Sequence, residues 1–254
     1  MNKIYQYELR RILRSKFFWG LLAVCLFFGW NILQTSTIRG VAHTAPFSPW
    51  SFGAYMARIL PLLGVALLFF QWNQCNEKSR QFGRLTDAAP VEQGKYLLVK
   101  CAAAVTAWLL LALILTALGL GFLAIMFGRN VPVGMLLLTA AITLLPALLF
   151  LAGMGLLAGR IHSGLLFGLM ALALGAGFIP LPMNIDLYGY SFFTEYPLTM
   201  ELLDPAFSMP GGMIVSRVIF LLAGIGFLVF AVWRNKSIRS VSYTHLTLPT
   251  IYSV

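Results

Sequence analysis

Long apolar runs recur along this chain, and they constrain its fold more than any other feature. They cover about residues 17–33, 52–72, 96–127, 133–158, 163–181 and 213–233. A bilayer's hydrocarbon core is ~30 Å thick and takes about 20 helical residues to cross. Inside it no water is present to bond free backbone N–H and C=O groups, so each crossing segment must satisfy its own, as an α-helix does. The expected fold is therefore all-α: a polytopic membrane protein of six transmembrane helices. A soluble globular domain is excluded by the same pattern, since 59% of the residues are hydrophobic and only 10% are charged.

Charge placement sets the expected topology. The formal net charge is +10, which in another chain could point to nucleic acid. Here the basic residues cluster before residue 17, between residues 78 and 100, at Arg160 and after residue 233. Those groups hold all the Lys and Arg except Arg39, Arg58, Arg129 and Arg217. Such alternation follows the positive-inside rule and puts both termini in the cytoplasm. No nucleic-acid partner is expected; membrane lipids are. The segment 183–212 is expected outside, and it carries Asp186, Glu195, Glu201 and Asp204 with no Lys or Arg.

Residues 1–16 read as a basic amphipathic helix lying at the membrane surface. Tyr5, Leu9, Ile12 and Leu13 share one side, while Lys3, Gln6, Arg10 and Arg14 take the other. No cleavable signal peptide is expected, because the first apolar run lacks a clean small-residue cleavage site. Residues 234–240 read as a cytoplasmic end. Residues 241–254, which include SYTHLTLPT, resemble translated adapter sequence, are expected to be a non-native tail and are set aside from the fold. Cys25, Cys75 and Cys101 lie in or beside the spans, where packing is expected rather than a disulfide framework.

Within the spans, Pro146 is expected to kink the fourth. The third is longer than one crossing needs, which implies tilt, extension beyond the bilayer or a break. Gly155/Gly159 and Gly164/Gly168 have the spacing of close helix packing, expected within the subunit. Trp19, Trp50, Trp72 and Trp233 fall where an interfacial aromatic belt is expected.

Reactive chemistry finds no support. Gly94-Lys95 lacks the earlier glycine of a phosphate-binding loop, and neither H-E-x-x-H nor G-x-S-x-G occurs. His43, His162 and His245 are far apart in sequence, so no metal site is expected. The central parts of the spans hold no Asp, Glu or Lys, which weighs against an ion-coupled carrier. No catalytic centre and no cofactor of its own are expected.

The longest charged interruption, residues 73–95, sits between the second and third spans and belongs in the cytoplasm by its cationic excess. It contains Glu77-Lys78-Ser79-Arg80-Gln81-Phe82-Gly83-Arg84-Leu85, then Asp87 and Ala89-Pro90-Val91, and it leads into Tyr96-Leu97-Leu98-Val99-Lys100. This order resembles the loop that precedes the third span in permease subunits of type-2 ABC transporters. The resemblance extends to the basic first helix, the six spans and the sizeable outer loop before the last one, over about residues 1–240. Val99 stands where that family usually has glycine. Pro90 disfavours a helical Ala89 and so ends the short helix that Glu77–Leu85 can form, with Arg80 and Arg84 one turn apart on it.

The resemblance implies a bacterial cytoplasmic membrane and an exporter subunit working by alternating access. It further implies a second permease copy or paralogue, and a separate cytoplasmic ATPase that binds ATP and Mg. Glu77, Arg80, Arg84, Leu85, Asp87 and Pro90 would dock that ATPase as a coupling loop, beside the elbow helix carrying Tyr5, Leu9, Arg10, Ile12 and Leu13. Arg58 and Arg217 lie a few residues inside the outer ends of their spans. Snorkelling to the headgroups is the expectation for both; the alternative is an outer gate made with Glu195, Glu201 or Asp204. Two other functions remain open at this point: a carrier driven by an ion gradient, and a non-transporting scaffold or immunity protein.

Overall fold

Helix α3, Pro49–Cys75, forms the axis of the molecule. Small or apolar residues occur on all its sides, so no face is suited to water, and 78% of its spanning window is buried. Against it stand α2 (Lys16–Thr35), α4 (Gln93–Phe127) and α5 (Val133–Ile161), with α8 (Gly211–Ser240) packed beyond, on α5. In this computed structural model, which describes residues 2–75, 93–128, 131–200 and 202–240, these five helices are long and apolar enough to cross a membrane. The shorter helices are α1 (Asn2–Leu13), α6 (Leu165–Gly175) and α7 (Tyr190–Glu195), with 3-10 turns at Thr37–Arg39 and Tyr196–Met200. No strand occurs among the described residues.

Helix α3 touches α2, α4, α5, α6 and α7, whereas α8 packs chiefly on α5. Lipid is as apolar as Leu, so helices in it associate through close packing rather than through the hydrophobic effect. Gly153 of α5 and Gly224 of α8 supply that packing. A Cβ at Gly224 would collide with the backbone of Leu149 and Phe150, and one at Gly153 would collide with the Gly224 carbonyl. Phe150 then meets Phe220 and Phe227 edge-on, with ring centroids 5.5 and 5.8 Å apart. The outward face of α8 keeps Ile214, Val218, Ile219, Leu222 and Val229 exposed, as a lipid-facing helix must.

Of the two expected glycine pairs, only Gly155/Gly159 is packed between helices: their α-carbons lie against Gln71 and against Cys75 and Leu166. A Cβ at Gly164 would meet only the neighbouring His162 ring, and Gly168 faces open space. Helix α4 is unbroken over its 35 residues, about 52 Å at 1.5 Å per residue, so it outlasts the bilayer rather than breaking within it. Helix α5 runs on through Pro146 as one continuous helix.

The expected span 163–181 takes a different form. Its regular helix is α6, of 11 residues, about 16 Å long. Turn hydrogen bonds lengthen the coil at both ends, from Leu165 N to the His162 carbonyl and from Phe178 N to the Gly175 carbonyl. Gly175 and Gly177 favour unwinding there, and Pro180 and Pro182 cannot extend the ladder.

The first helix has the face expected of it. Ile12 is buried, Tyr5, Leu9 and Leu13 are half-buried against the core, and Lys3, Gln6, Arg10 and Arg14 are exposed. It lies mainly on α4 and touches α2. Ser15 closes the junction by accepting a hydrogen bond from Phe18 N at 3.1 Å, the N-cap of α2. Of the tryptophans expected in an aromatic belt, Trp19 and Trp233 are 61% and 65% exposed, whereas Trp50 is fully buried and so does not belong to one. Cys25, Cys75 and Cys101 form no disulfide; the first and last are buried and Cys75 is half-buried.

Candidate functional site

The end of the bundle where α3 begins is closed by a cap built from residues 181–200 and 202–210. Asp186 organises it. One carboxylate oxygen accepts from Tyr188 N at 2.9 Å and the other from Ser191 N at 3.0 Å, the short-range pattern that makes Asp a turn residue. Gly189 provides the left-handed backbone that this turn needs, with φ +77°. The turn is tied to its surroundings through side chains. Tyr188 donates to the Ala173 carbonyl of α6 at 2.6 Å, Ser191 to the Leu181 carbonyl at 2.7 Å and Ser216 of α8 to the Asn184 carbonyl at 2.7 Å. Burial pushes the Tyr188 phenol up from its ordinary value, and the neighbouring Asp186 carboxylate adds to the rise.

Beside this turn an aromatic cluster fills the cap. Trp50 packs against Phe192, Phe193, Tyr196 and Phe207, with the Phe207 ring centroid 4.9 Å away. Its indole N–H donates to the Pro205 carbonyl at 2.8 Å. Nearby, Ala45 N donates to Asp204 Oδ1 at 3.0 Å. Trp50 thus anchors the cap to α3 instead of sitting at a lipid headgroup.

Between α2, α3, the end of α6 and the cap lies a cavity of about 650 Å³. Its walls are mostly apolar, including Phe27, Phe28, Pro61, Phe178 and Ile179; its charged lining residues are Arg58, Asp186 and Glu195. Arg58 is exposed into it, donates through Nη2 to the Tyr190 hydroxyl, and has its guanidinium carbon 4.8 Å from the Tyr190 ring centroid. That is cation–π distance. Among the described residues no ion pair joins Arg58 to Glu195.

Arg217 contradicts the snorkelling expected of it. It is 5% exposed, donates through Nη1 to the Leu187 carbonyl at 2.6 Å and lies against Gly189. A buried cation needs acceptors at hand; the cap turn provides the Leu187 carbonyl, while the buried Nε has no hydrogen-bond partner among the described residues. Neither Glu195 nor Asp204 is its partner, and Glu201 lies outside the described residues. Arg58 and Arg217 therefore both engage the 183–212 segment, through Tyr190 and Leu187 rather than through the carboxylates expected.

At the opposite end, polar side chains bracket the point where residues 76–92 leave α3 and enter α4. Gln71 donates to the Ala152 carbonyl of α5 at 2.9 Å, and Gln74 to the Lys100 carbonyl of α4 at 3.0 Å. The Lys100 ammonium stands 4.6 Å from the Tyr96 ring centroid. Tyr5 of α1 shares a 2.8 Å hydroxyl hydrogen bond with Thr106 of α4, and Glu8 pairs with Arg11 at 2.8 Å. The expected coupling-loop residues Glu77, Arg80, Arg84, Leu85, Asp87 and Pro90 lie outside the described residues.

Sequence reasoning missed Tyr190, the role of Asp186, and the two glutamines. Gln71 and Gln74 carry a usable signal, as polar residues three apart on one face of an apolar span. Tyr190 carries none, because its contact with Arg58 joins residues far apart in the chain. No group of three His, Cys, Asp or Glu side chains suited to a metal occurs among the described residues. No protein-family model matches this chain, and neither does any curated protein or solved structure.

Proposed function

We propose that the chain is the permease subunit of an ATP-binding cassette exporter, crossing a bacterial cytoplasmic membrane six times with both ends in the cytoplasm. A separate ATPase supplies ATP and Mg, and a second copy or a paralogue completes the pathway. The reading is carried by one observation: the order of residues from Glu77 through Pro90 to Lys100, which resembles the type-2 permease pattern and opens directly into α4. The surrounding construction supports it mechanically. An ATPase pushing on residues 76–92 meets α3 and α4 where Gln74 locks them together, and α1 is fastened to α4 through Tyr5. Helix α6 with its flanking turns is the shortest of the six crossings, a mismatch that local bilayer thinning accommodates at modest cost.

Co-purification tests the proposal. The detergent-solubilised chain, expressed with its genomic neighbours, is expected to retain an ATPase, and Arg80→Glu with Arg84→Glu to abolish the association while leaving membrane insertion intact. An ATPase retained by the double variant removes docking from this loop. Transport that persists without ATP and collapses with an ion gradient replaces the proposal with a carrier.

A further inference from the structure

We propose that the cavity beside Arg58 is a binding site for one membrane phospholipid with a zwitterionic headgroup, its phosphate on Arg58 and its ammonium toward Glu195. This rests only on the chain spanning a membrane, not on its docking an ATPase. The size suits an amphiphile: about 650 Å³ lies within the usual range of ~300–1,000 Å³ for small-molecule sites. The walls suit an acyl chain. Phe27 and Phe178 are 76% and 78% exposed, and Ile179 is also exposed, so the mouth opens sideways along apolar surface that a bilayer covers with chains.

The headgroup follows from the charges. Arg58 sits within an apolar span, where a cation is costly unless an acceptor or anion meets it. Its visible partner, the Tyr190 hydroxyl, is neutral and takes a single one of the five guanidinium N–H donors. A phosphate answers that deficit with bidentate geometry, which guanidinium favours. Asp186 does not supply it: among the described residues no ion pair joins it to Arg58, and its oxygens turn instead to Tyr188 N and Ser191 N. Glu195 also lines the cavity, from α7, yet makes no ion pair with Arg58. One mouth thus presents a cation and a carboxylate held apart. A purely anionic head would satisfy Arg58 while facing Glu195, whereas a phosphate followed by an ammonium satisfies both.

The test is native mass spectrometry of the full chain in detergent, titrated with phosphatidylethanolamine, phosphatidylglycerol and an uncharged glycolipid of matched chains. One phosphatidylethanolamine per chain is expected to bind at least tenfold more tightly than the glycolipid, and more tightly than phosphatidylglycerol. Arg58→Gln should weaken both phospholipids about tenfold, with Arg58→Lys restoring part of the loss. Glu195→Gln should leave phosphatidylglycerol bound as well as phosphatidylethanolamine or better. Because Glu195 is exposed, that variant is expected to fold even where Arg58→Gln does not, and its headgroup preference alone decides the assignment. Equal binding of all three lipids, unmoved by Glu195→Gln, is annular lipid only and overturns the site. A wild-type preference for phosphatidylglycerol overturns the zwitterion.

Discussion

At the cap end, α3 is held by a packed aromatic cluster and by a turn whose polar atoms bond one another and the bundle. At the α1 end, it is held by the separate amides of Gln71 and Gln74, beside a hydroxyl bond that ties α1 to α4, with exposed cations nearby. Trp50 is fully buried and its indole N–H is bonded. Lys3, Arg10 and Arg14, at the far end, are exposed. The contrast teaches where stability and movement reside. Close packing with satisfied polar groups forms a rigid unit, whereas single hydrogen bonds between long helices can be exchanged at small cost.

The contrast breaks most readily at Trp50. Trp50→Ala is expected to destabilise the protein by about 3–5 kcal/mol, read as a lowered thermal midpoint in detergent. Trp50→Phe keeps most of the packing and should cost nearer ~1 kcal/mol for the bond to Pro205. A small effect of the alanine variant would mean that the cap is not part of the core. Next in size comes Arg217→Met, which leaves the Leu187 carbonyl without its donor, a loss of about 1–3 kcal/mol; limited proteolysis of the 183–210 segment is the readout. At the other end, Tyr5→Phe removes one hydroxyl bond to Thr106 and should cost only ~0.5–1.5 kcal/mol. Equal shifts from Tyr5→Phe and Trp50→Ala would erase the difference between the two ends. The smallest effect expected is from Arg10→Gln on the exposed face of α1, within about 0.5 kcal/mol.

Titration sharpens the same comparison. Tyr188 has its phenol raised by burial and by Asp186, so the folded cap favours the protonated ring. Its contribution is complete below the unfolded tyrosine value of about 10 and is lost as pH rises from there toward the higher folded value. Hydrogen exchange in the cap is expected to accelerate above pH ~10, and Tyr188→Phe to remove that acceleration. An unchanged profile in the variant would assign the loosening to another group.

Much of the helical framework was legible because its signals are local. Apolar length marked α2 through α5 and α8, and the spacing of Tyr5, Leu9, Ile12 and Leu13 marked the buried side of α1. The 163–181 segment was misjudged in form because apolar content measures tolerance of lipid, while Gly175, Gly177 and Pro180 decide how far a regular helix extends. Trp50 was misjudged for a similar reason. Its position near a span end fits a belt, and only Phe192, Phe193, Tyr196 and Phe207 closing over it make it core.

The sequence by itself determined that this chain is helical and suited to a membrane, since both follow from runs of side chains and the backbone's need for hydrogen bonds. Tertiary structure decided which helix is the axis, where the cap closes, and which partners Arg58 and Arg217 take. Those outcomes depend on contacts between residues distant in the chain, such as Gly153 with Gly224 and Arg58 with Tyr190. Periodicity records which face of a helix is apolar, but not which neighbour will cover it.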